Sequence, residues 1–306
     1  MPRPRSRNPS PGSRAPSGPR RRVVATLRQL RNRVGSVKNI QRVTNAMKLV
    51  AAAKMRKAQE AIVAARPYAR QLNRVLQSLT QSVESEHPLL TERPVERVAV
   101  AVVTADRGLC GAFNSNVCRQ AQAELANYAD TDLITVGRKG RDYFRRRGQA
   151  PVLHHADVFR PLSFNHALQI SHDLSQRFLN GQVDRVLLVF SEFKSVAQQR
   201  PVVEQLLPVV KPEAIEDEKL LDYIFEPEPE RLLDALVPLH VNYQVWRALL
   251  ECSAGEQAAR MTAMDNATKN AGDLIEDLVR QMNKKRQASI TLELMDIIGG
   301  AEAVSQ

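Results

Sequence analysis

The chain has 306 residues, 43% of them apolar and 25% charged, with a formal net charge of +11. This is ordinary composition for a soluble protein, and the length allows roughly two domains. Three cysteines, Cys110, Cys118 and Cys252, form no CxxC pair and no disulfide framework, which favours a reducing compartment; no run approaches the ~18 apolar residues needed to cross a membrane.

The positive charge is localised. Residues 1–22 hold seven arginines, six prolines and no acid. Arginine and serine without acids superficially suggest an organelle transit peptide, but the prolines oppose the amphipathic helix such a peptide needs, so residues 1–24 read as a disordered basic tail. Residues 25–82 carry twelve Lys or Arg against the single acid Glu60, and everything after Ser82 sums to −7. This split points to an acidic partner: nucleic acid, an anionic membrane surface, or a protein face rich in Asp and Glu.

Residues 25–93 read as a first long helix. Apolar side chains at Leu27, Leu30, Val34, Val37, Ile40, Val43, Met47 and Val50 step by three and four, which draws one narrow stripe along a helix. Ala51, Met55, Ala58, Ile62 and Ala65 continue it, and small residues there let a partner helix come close. Pro67 removes a backbone donor and is expected to bend or interrupt the rod. Leu72, Val75, Leu76 and Leu79 resume the pattern.

From Pro94 to about residue 210 the pattern changes to apolar strands separated by helices. VERVAVAVVTAD (95–106), TDLITVG (131–137), the stretch near 151–158, VDRVLLVFSEF (183–193) and VVEQLLPVV supply five strands, with helices near 114–129, after GRKG, and at 164–179. This predicts an α/β domain with a mainly parallel sheet covered on both faces, the last two strands being a candidate antiparallel pair. Residues 211–230 read as a linker. A second long helix then occupies residues 231–306, its stripe running from Leu239, Tyr243, Trp246 and Leu250 to Leu294 and Ile297 before a stop at Gly299 and Gly300; Gly255 and Gly272 are mild flaws in it. Two rods of about 60 residues, each roughly 90 Å at 1.5 Å per residue, have seams too narrow for a large core. They are expected to bury one another as an antiparallel coiled coil with the Rossmann-like α/β domain inserted between them.

No catalytic machinery is legible. The glycines of DRGLCGAFN, Gly108 and Gly111, make neither GxGxxG nor a P-loop. Asp106 and Arg107 read as a local ion pair, and Cys110 lacks a spaced His or Asp. His154, His155, His166 and His172 complete no metal set, and Tyr243 and Trp246 read as rod packing. Nucleic-acid binding has charge in its favour, yet the tail and first rod offer one aromatic, Tyr68, and no base-reading module.

Four stretches carry a resemblance. ATLRQLRNRVGSVKNIQRVTNAMKLVAAAKMRKAQ, TADRGLCGAFNSN, EQAARMTAMDNATKNAGDLIEDL and NKKRQASITLELMDIIGGAEA resemble, in order, segments of the gamma subunit of F-type ATP synthase, the central rotor shaft, over residues 25–303. The resemblance implies a non-catalytic subunit, one per complex, with no cofactor or metal of its own. Its implied partners are the hexamer of three alpha and three beta subunits, the epsilon subunit and the membrane c-ring; its implied place is the cytoplasmic face of a bacterial inner membrane, with no nucleic acid involved. It also implies contact residues. Lys48, Lys54, Arg56 and Lys57 would face an acidic lever loop of beta, Arg286 and Gln287 would latch a beta loop, and Leu292, Leu294, Ile297 and Ile298 would form an apolar tip held by the hexamer. Green-type members carry a regulatory cysteine pair after the fourth strand; here that region has no cysteine, so thiol switching is not expected. The tail has no counterpart role.

Overall fold

The computed structural model describes residues 26–82, 87–210, 226 and 228–304. The expected basic tail, and the linker up to residue 225, lie outside the described residues. Contacts divide the chain into two units, taken separately below: residues up to Lys38 together with those from Asp273 onward, and the stretch Asn39–Gly272. Ten elements follow in order: α1 (Leu27–Ser82), β1 (Arg97–Val103), α2 (Phe113–Leu125), β2 (Asp130–Val136), α3 (Arg138–Arg145), β3 (Leu153–His155), α4 (Phe164–Leu179), β4 (Arg185–Phe193), β5 (Gln199–Leu207) and α5 (Pro229–Val304).

The two long helices are unequal where the sequence suggests a matched pair, at 56 and 76 residues. Pro67 does not interrupt α1, and Pro238 lies inside α5. Proline removes one donor per site, which the flanking turns of a packed helix tolerate. Pro229 opens α5, where its missing N–H would be unpaired anyway, and Glu230 places an acid in the first turn. The helix also continues through Gly299 and Gly300, because propensity is a weak prior against continuation.

Within Asn39–Gly272 the helices run antiparallel, with Thr44 against Thr268, Lys48 against Asp265, and the Tyr243 hydroxyl donating to the Ala65 carbonyl at 2.5 Å. The buried seam of α1 is shifted from the expected one. Thr44, Ala51 and Ala58 are buried, while Ile40, Val43 and Val50 stand 56%, 58% and 55% exposed. A seam must recur every 3.5 residues to keep facing its partner. Positions 44, 48, 51, 55 and 58 do so, even though two of them are polar, and the apolar neighbours that fall out of phase are left outside.

The sheet has the order β3-β2-β1-β4-β5, with the first four strands parallel and β5 antiparallel to β4. Burial on both faces explains the unbroken apolar runs. Alternate residues of β1 go to opposite sides: Val98, Val100 and Val102 pack on Val117, Cys118, Ala121 and Leu125 of α2 and Phe144 of α3. Ala99, Ala101 and Val103 face a larger core that takes Ile170, Leu174 and Phe178 from α4, Val241, Val245 and Leu249 from α5, and Leu76 and Leu79 from α1. The long helices are therefore themselves a layer of the α/β core along part of their length.

In the other unit, Leu30 and Val34 of α1 bury against Leu278 of α5, with Val37, Ile275, Val279 and Met282 packed around them. Beyond this cluster α5 has no buried side chain among the described residues.

Candidate functional site

The helix pair in Asn39–Gly272 is held by charge and hydroxyl contacts at its seam. Lys48 Nζ lies 2.6 Å from Asp265 Oδ1, and Lys269 Nζ lies 2.9 Å from Asp265 Oδ2. Hydrogen bonds from these two ammonium groups pull the Asp265 carboxyl down to about 2. One turn away the Thr44 and Thr268 hydroxyls meet at 2.8 Å, and Thr268 also donates to the Met264 carbonyl. Such pairs fix which residue faces which, a property an alanine seam lacks. Of the four cations expected to face a partner, Lys48 is thus engaged by the chain's own α5. Arg56 pairs with Glu60 one turn along α1 at 3.3 Å in an exposed contact. Lys54 and Lys57 are exposed and have no ion-pair partner among the described residues.

In the other unit, Arg286 and Gln287 are exposed on α5, and the Gln287 carbonyl accepts from the Thr291 hydroxyl at 3.0 Å. The helix then presents Ile290, Leu292, Leu294, Met295, Ile297 and Ile298, each between 48% and 67% exposed. A run of large apolar side chains on an otherwise unpacked helix is a liability in water unless another surface covers it. The seam cations and this helix end belong to different units.

The α/β domain has the topology in which a ligand crevice would open. The strand order reverses between β1 and β4, and open α/β sheets bind ligands outside the carboxyl ends of strands at that point. Here α5 fills it. Cys252 Sγ approaches the Val103 carbonyl at 3.8 Å, and Arg260, paired with Glu256 at 2.6 Å, reaches the Gly108 carbonyl at 3.2 Å. Gly255 permits the approach: a Cβ there would lie 3.0 Å from the Phe113 ring and 3.6 Å from Gln199. It is a point of close contact rather than an exposed flaw.

The TADRGLCGAFNSN stretch is structural within this contact. Thr104 Oγ1 accepts from Gly140 N at 2.8 Å and donates to the Val136 carbonyl. Asp106 Oδ1 accepts from the backbone N–H of Arg138 and of Asp157, so it ties β1 to α3 and to the loop after β3. The expected ion pair with Arg107 is not formed among the described residues: Asp106 is buried with its Oδ1 on backbone donors, whereas the Arg107 side chain is exposed. Asn114 Oδ1 accepts from Ala105 N while its amide donates to the Arg107 carbonyl. Tyr243 packs on Tyr68 of α1, but Trp246 meets Phe164 of α4 edge-on at 5.8 Å, so it joins rod to sheet domain rather than rod to rod. Arg247 adds ion pairs to Glu204 of β5 and to Glu251.

Sequence reasoning missed Asp265, Thr268 and the Glu256–Arg260 pair. The i,i+4 spacing of Asp265 with Lys269 and of Glu256 with Arg260 was a visible signal of local pairing; the cross-helix partners were not. All three cysteines are buried thiols. Burial pushes Cys118 up to about 12 and Cys252 well above the ordinary range. Among the described residues no group of three His, Cys, Asp or Glu side chains could hold a metal, and no helix is long and apolar enough to cross a membrane.

Comparison with known proteins agrees with this arrangement. The family model described as ATP synthase matches residues 26–304. The ATP synthase gamma chain of Desulforamulus reducens is 46% identical over 92% of this chain and 100% of its own length, and that of Prosthecochloris aestuarii is 48% identical over 92% and 99%. Among solved structures, the central stalk and c-ring of the Tetrahymena thermophila mitochondrial ATP synthase contains a chain 29% identical, with a TM-score of 0.58 over 74% of this chain and 99% of that one. A chain of the Euglena gracilis mitochondrial enzyme in rotational state 3 shares the fold, with a TM-score of 0.68 over 91% and 94% at 22% identity. By its sequence along nearly the whole described length, and by its fold, this chain belongs to the ATP synthase gamma-chain family.

Proposed function

We propose that this chain is the central-stalk rotor subunit of an F-type ATP synthase, carrying rotation of a membrane ring to catalytic sites on other subunits and catalysing nothing alone. The observation that carries this is that α5 fills the ligand crevice of its own sheet domain while a later part of the same helix is left without a covering surface. A sheet domain plugged in this way is a fixture on a rod, and torque needs such a fixture. Were the domain free to rotate about the helix pair, the ring's work would be lost at the joint.

In this reading the apolar run from Ile290 to Ile298 seats in the upper bearing of the alpha–beta hexamer, and Arg286 and Gln287 contact a beta loop. Arginine suits that role because its planar fork offers five directional donors. Lys54, Arg56 and Lys57 supply charge toward an acidic beta loop, a long-ranged attraction that does not bind the shaft permanently to one wall. Lys48 joins them only when it leaves Asp265. The basic tail, the linker and the division into shaft and foot complete the proposal, with the foot beside epsilon and the c-ring at the cytoplasmic face of a bacterial inner membrane.

The test is reconstitution. Purified full-length chain should hydrolyse no ATP, and mixing it with alpha and beta subunits should give rotation-dependent turnover that either alone lacks. Hydrolysis by the isolated chain above contaminant level, or equal turnover without it, would refute the proposal.

A further inference from the structure

Beside the filled crevice, and within Asn39–Gly272, lies a cleft of about 720 Å³ walled by α1, α5 and the loops after β1 and β3. We propose that this cleft binds a phosphorylated small molecule of nucleotide size, its phosphates held by side-chain cations and its body against apolar residues. Five cations border it, of which Arg260 is paired with Glu256; the other four are Lys54 from α1, Arg107 from the loop after β1, Lys139 from α3 and Arg160 from the loop after β3. None of these four side chains has an ion-pair or hydrogen-bond partner among the described residues. Converging like charges repel one another, and a polyanion turns that repulsion into attraction. Lys139 lies over Gly108 at the rim, its Nζ 3.8 Å from where a Cβ would stand, an ordinary contact distance.

The cleft also has apolar lining. Val43 and Val50, the side chains that fall out of phase with the coiled-coil seam, line it and are more than half exposed. Leu109 adds a third apolar surface at 63% exposure, in the left-handed region at φ 64°. A bulky residue held in that region and pointing to solvent is strain of the kind that collects at binding sites. Asp106, also bordering the cleft, keeps one buried acceptor, Oδ2, without a partner. Buried polar atoms are almost always paired, so an unpaired one beside a cleft is a place for a ligand hydroxyl or amine. The volume lies within the range of small-molecule sites. With no glycine-rich backbone cradle, the site would bind without hydrolysing, and an occupant would brace α1 against the sheet domain.

The experiment is calorimetric titration of the full-length chain, free of magnesium and at about 0.1 M salt, with ADP, pyrophosphate, adenosine and phosphatidylglycerol vesicles as probes. The expected result is one ADP per chain, weaker binding of pyrophosphate, none of adenosine, and at least about tenfold loss of ADP affinity in Lys139→Ala/Arg160→Ala. Trp246 fluorescence under urea reports whether that variant is folded; should it not be, the exposed-loop variant Arg107→Gln carries the same expectation. No heat with ADP would overturn the proposal. So would ADP affinity unchanged in the folded variants, since the phosphates would then sit on the basic tail. Vesicle binding that ADP does not displace, and that the variants abolish, would overturn it in favour of a membrane surface.

Discussion

Two glycines in α5 should respond in opposite ways to the same substitution. In isolation, Gly→Ala in a helix gains about 1 kcal/mol. At Gly272 the new Cβ would lie 3.3 Å from Gln41 Nε2, the movable end of a long side chain, so nearly all of that gain should survive. At Gly255 it would lie 3.0 Å from Phe113 Cε2, and Phe113 is only 5% exposed within the core between α5 and the sheet. Moving the ring to ordinary contact needs a displacement of about half an ångström in a close-packed interior, which overpacking data place at about 1–3 kcal/mol. The net expectation is stabilisation by up to about 1 kcal/mol for Gly272→Ala and destabilisation by about 1 kcal/mol for Gly255→Ala. Trp246, the only tryptophan, packs on Phe164 across the joint and is the natural probe. With a urea slope of about 3 kcal/mol/M, each effect moves the fluorescence midpoint by roughly 0.3 M, in opposite directions. In the reconstituted complex Gly255→Ala should also lower coupled turnover, because the joint it loosens transmits the torque. Equal shifts of the same sign would refute the argument that close approach at Gly255 sets the sheet domain on the helix.

Replacing Arg286 and Gln287 with alanine should reduce turnover of the assembled enzyme while leaving the Trp246 transition within about 0.5 kcal/mol, since exposed helix positions add little to folding; unchanged turnover and proton pumping would remove both from the contact surface. His240 is buried on α5, and burial, helped by Arg247, lowers its imidazole to about 4. Its neutral form therefore favours the fold above the unfolded value near 6.5, and that contribution, at most about 3 kcal/mol, is lost as pH falls from 6.5 through 4. His240→Gln should flatten the urea midpoint across this window, and an unaltered slope would show that His240 is not responsible. Cys110, Cys118 and Cys252 should resist alkylation at pH 8 in the native chain and react together on unfolding, because burial raises all three thiols; rapid labelling of Cys252 in the native protein would mean that the joint opens.

The sequence alone determined the element types and their grouping. Periodicities of 3.6 and 2 report which faces are apolar, and such patterns are local. The stretch 164–179 matches α4, and the buried runs match β1, β2 and β4, including the antiparallel partner of the last. The motif stretches also sufficed to suggest the family. Tertiary structure decided what depends on partners far along the chain. The α1 seam passes through Thr44 and Lys48 rather than Val43 and Val50, because Thr268 and Asp265 wait more than 200 residues away to satisfy them. Pro67, which read as a break, is carried through where α1 packs on the rest of the chain, since packing outweighs propensity. Gly255, Cys252 and Arg260 acquire meaning only against Phe113, Val103 and Gly108. A lone sequence states what each residue prefers, and the fold decides which of those preferences are met, since contact energies depend on neighbours that local patterns do not name.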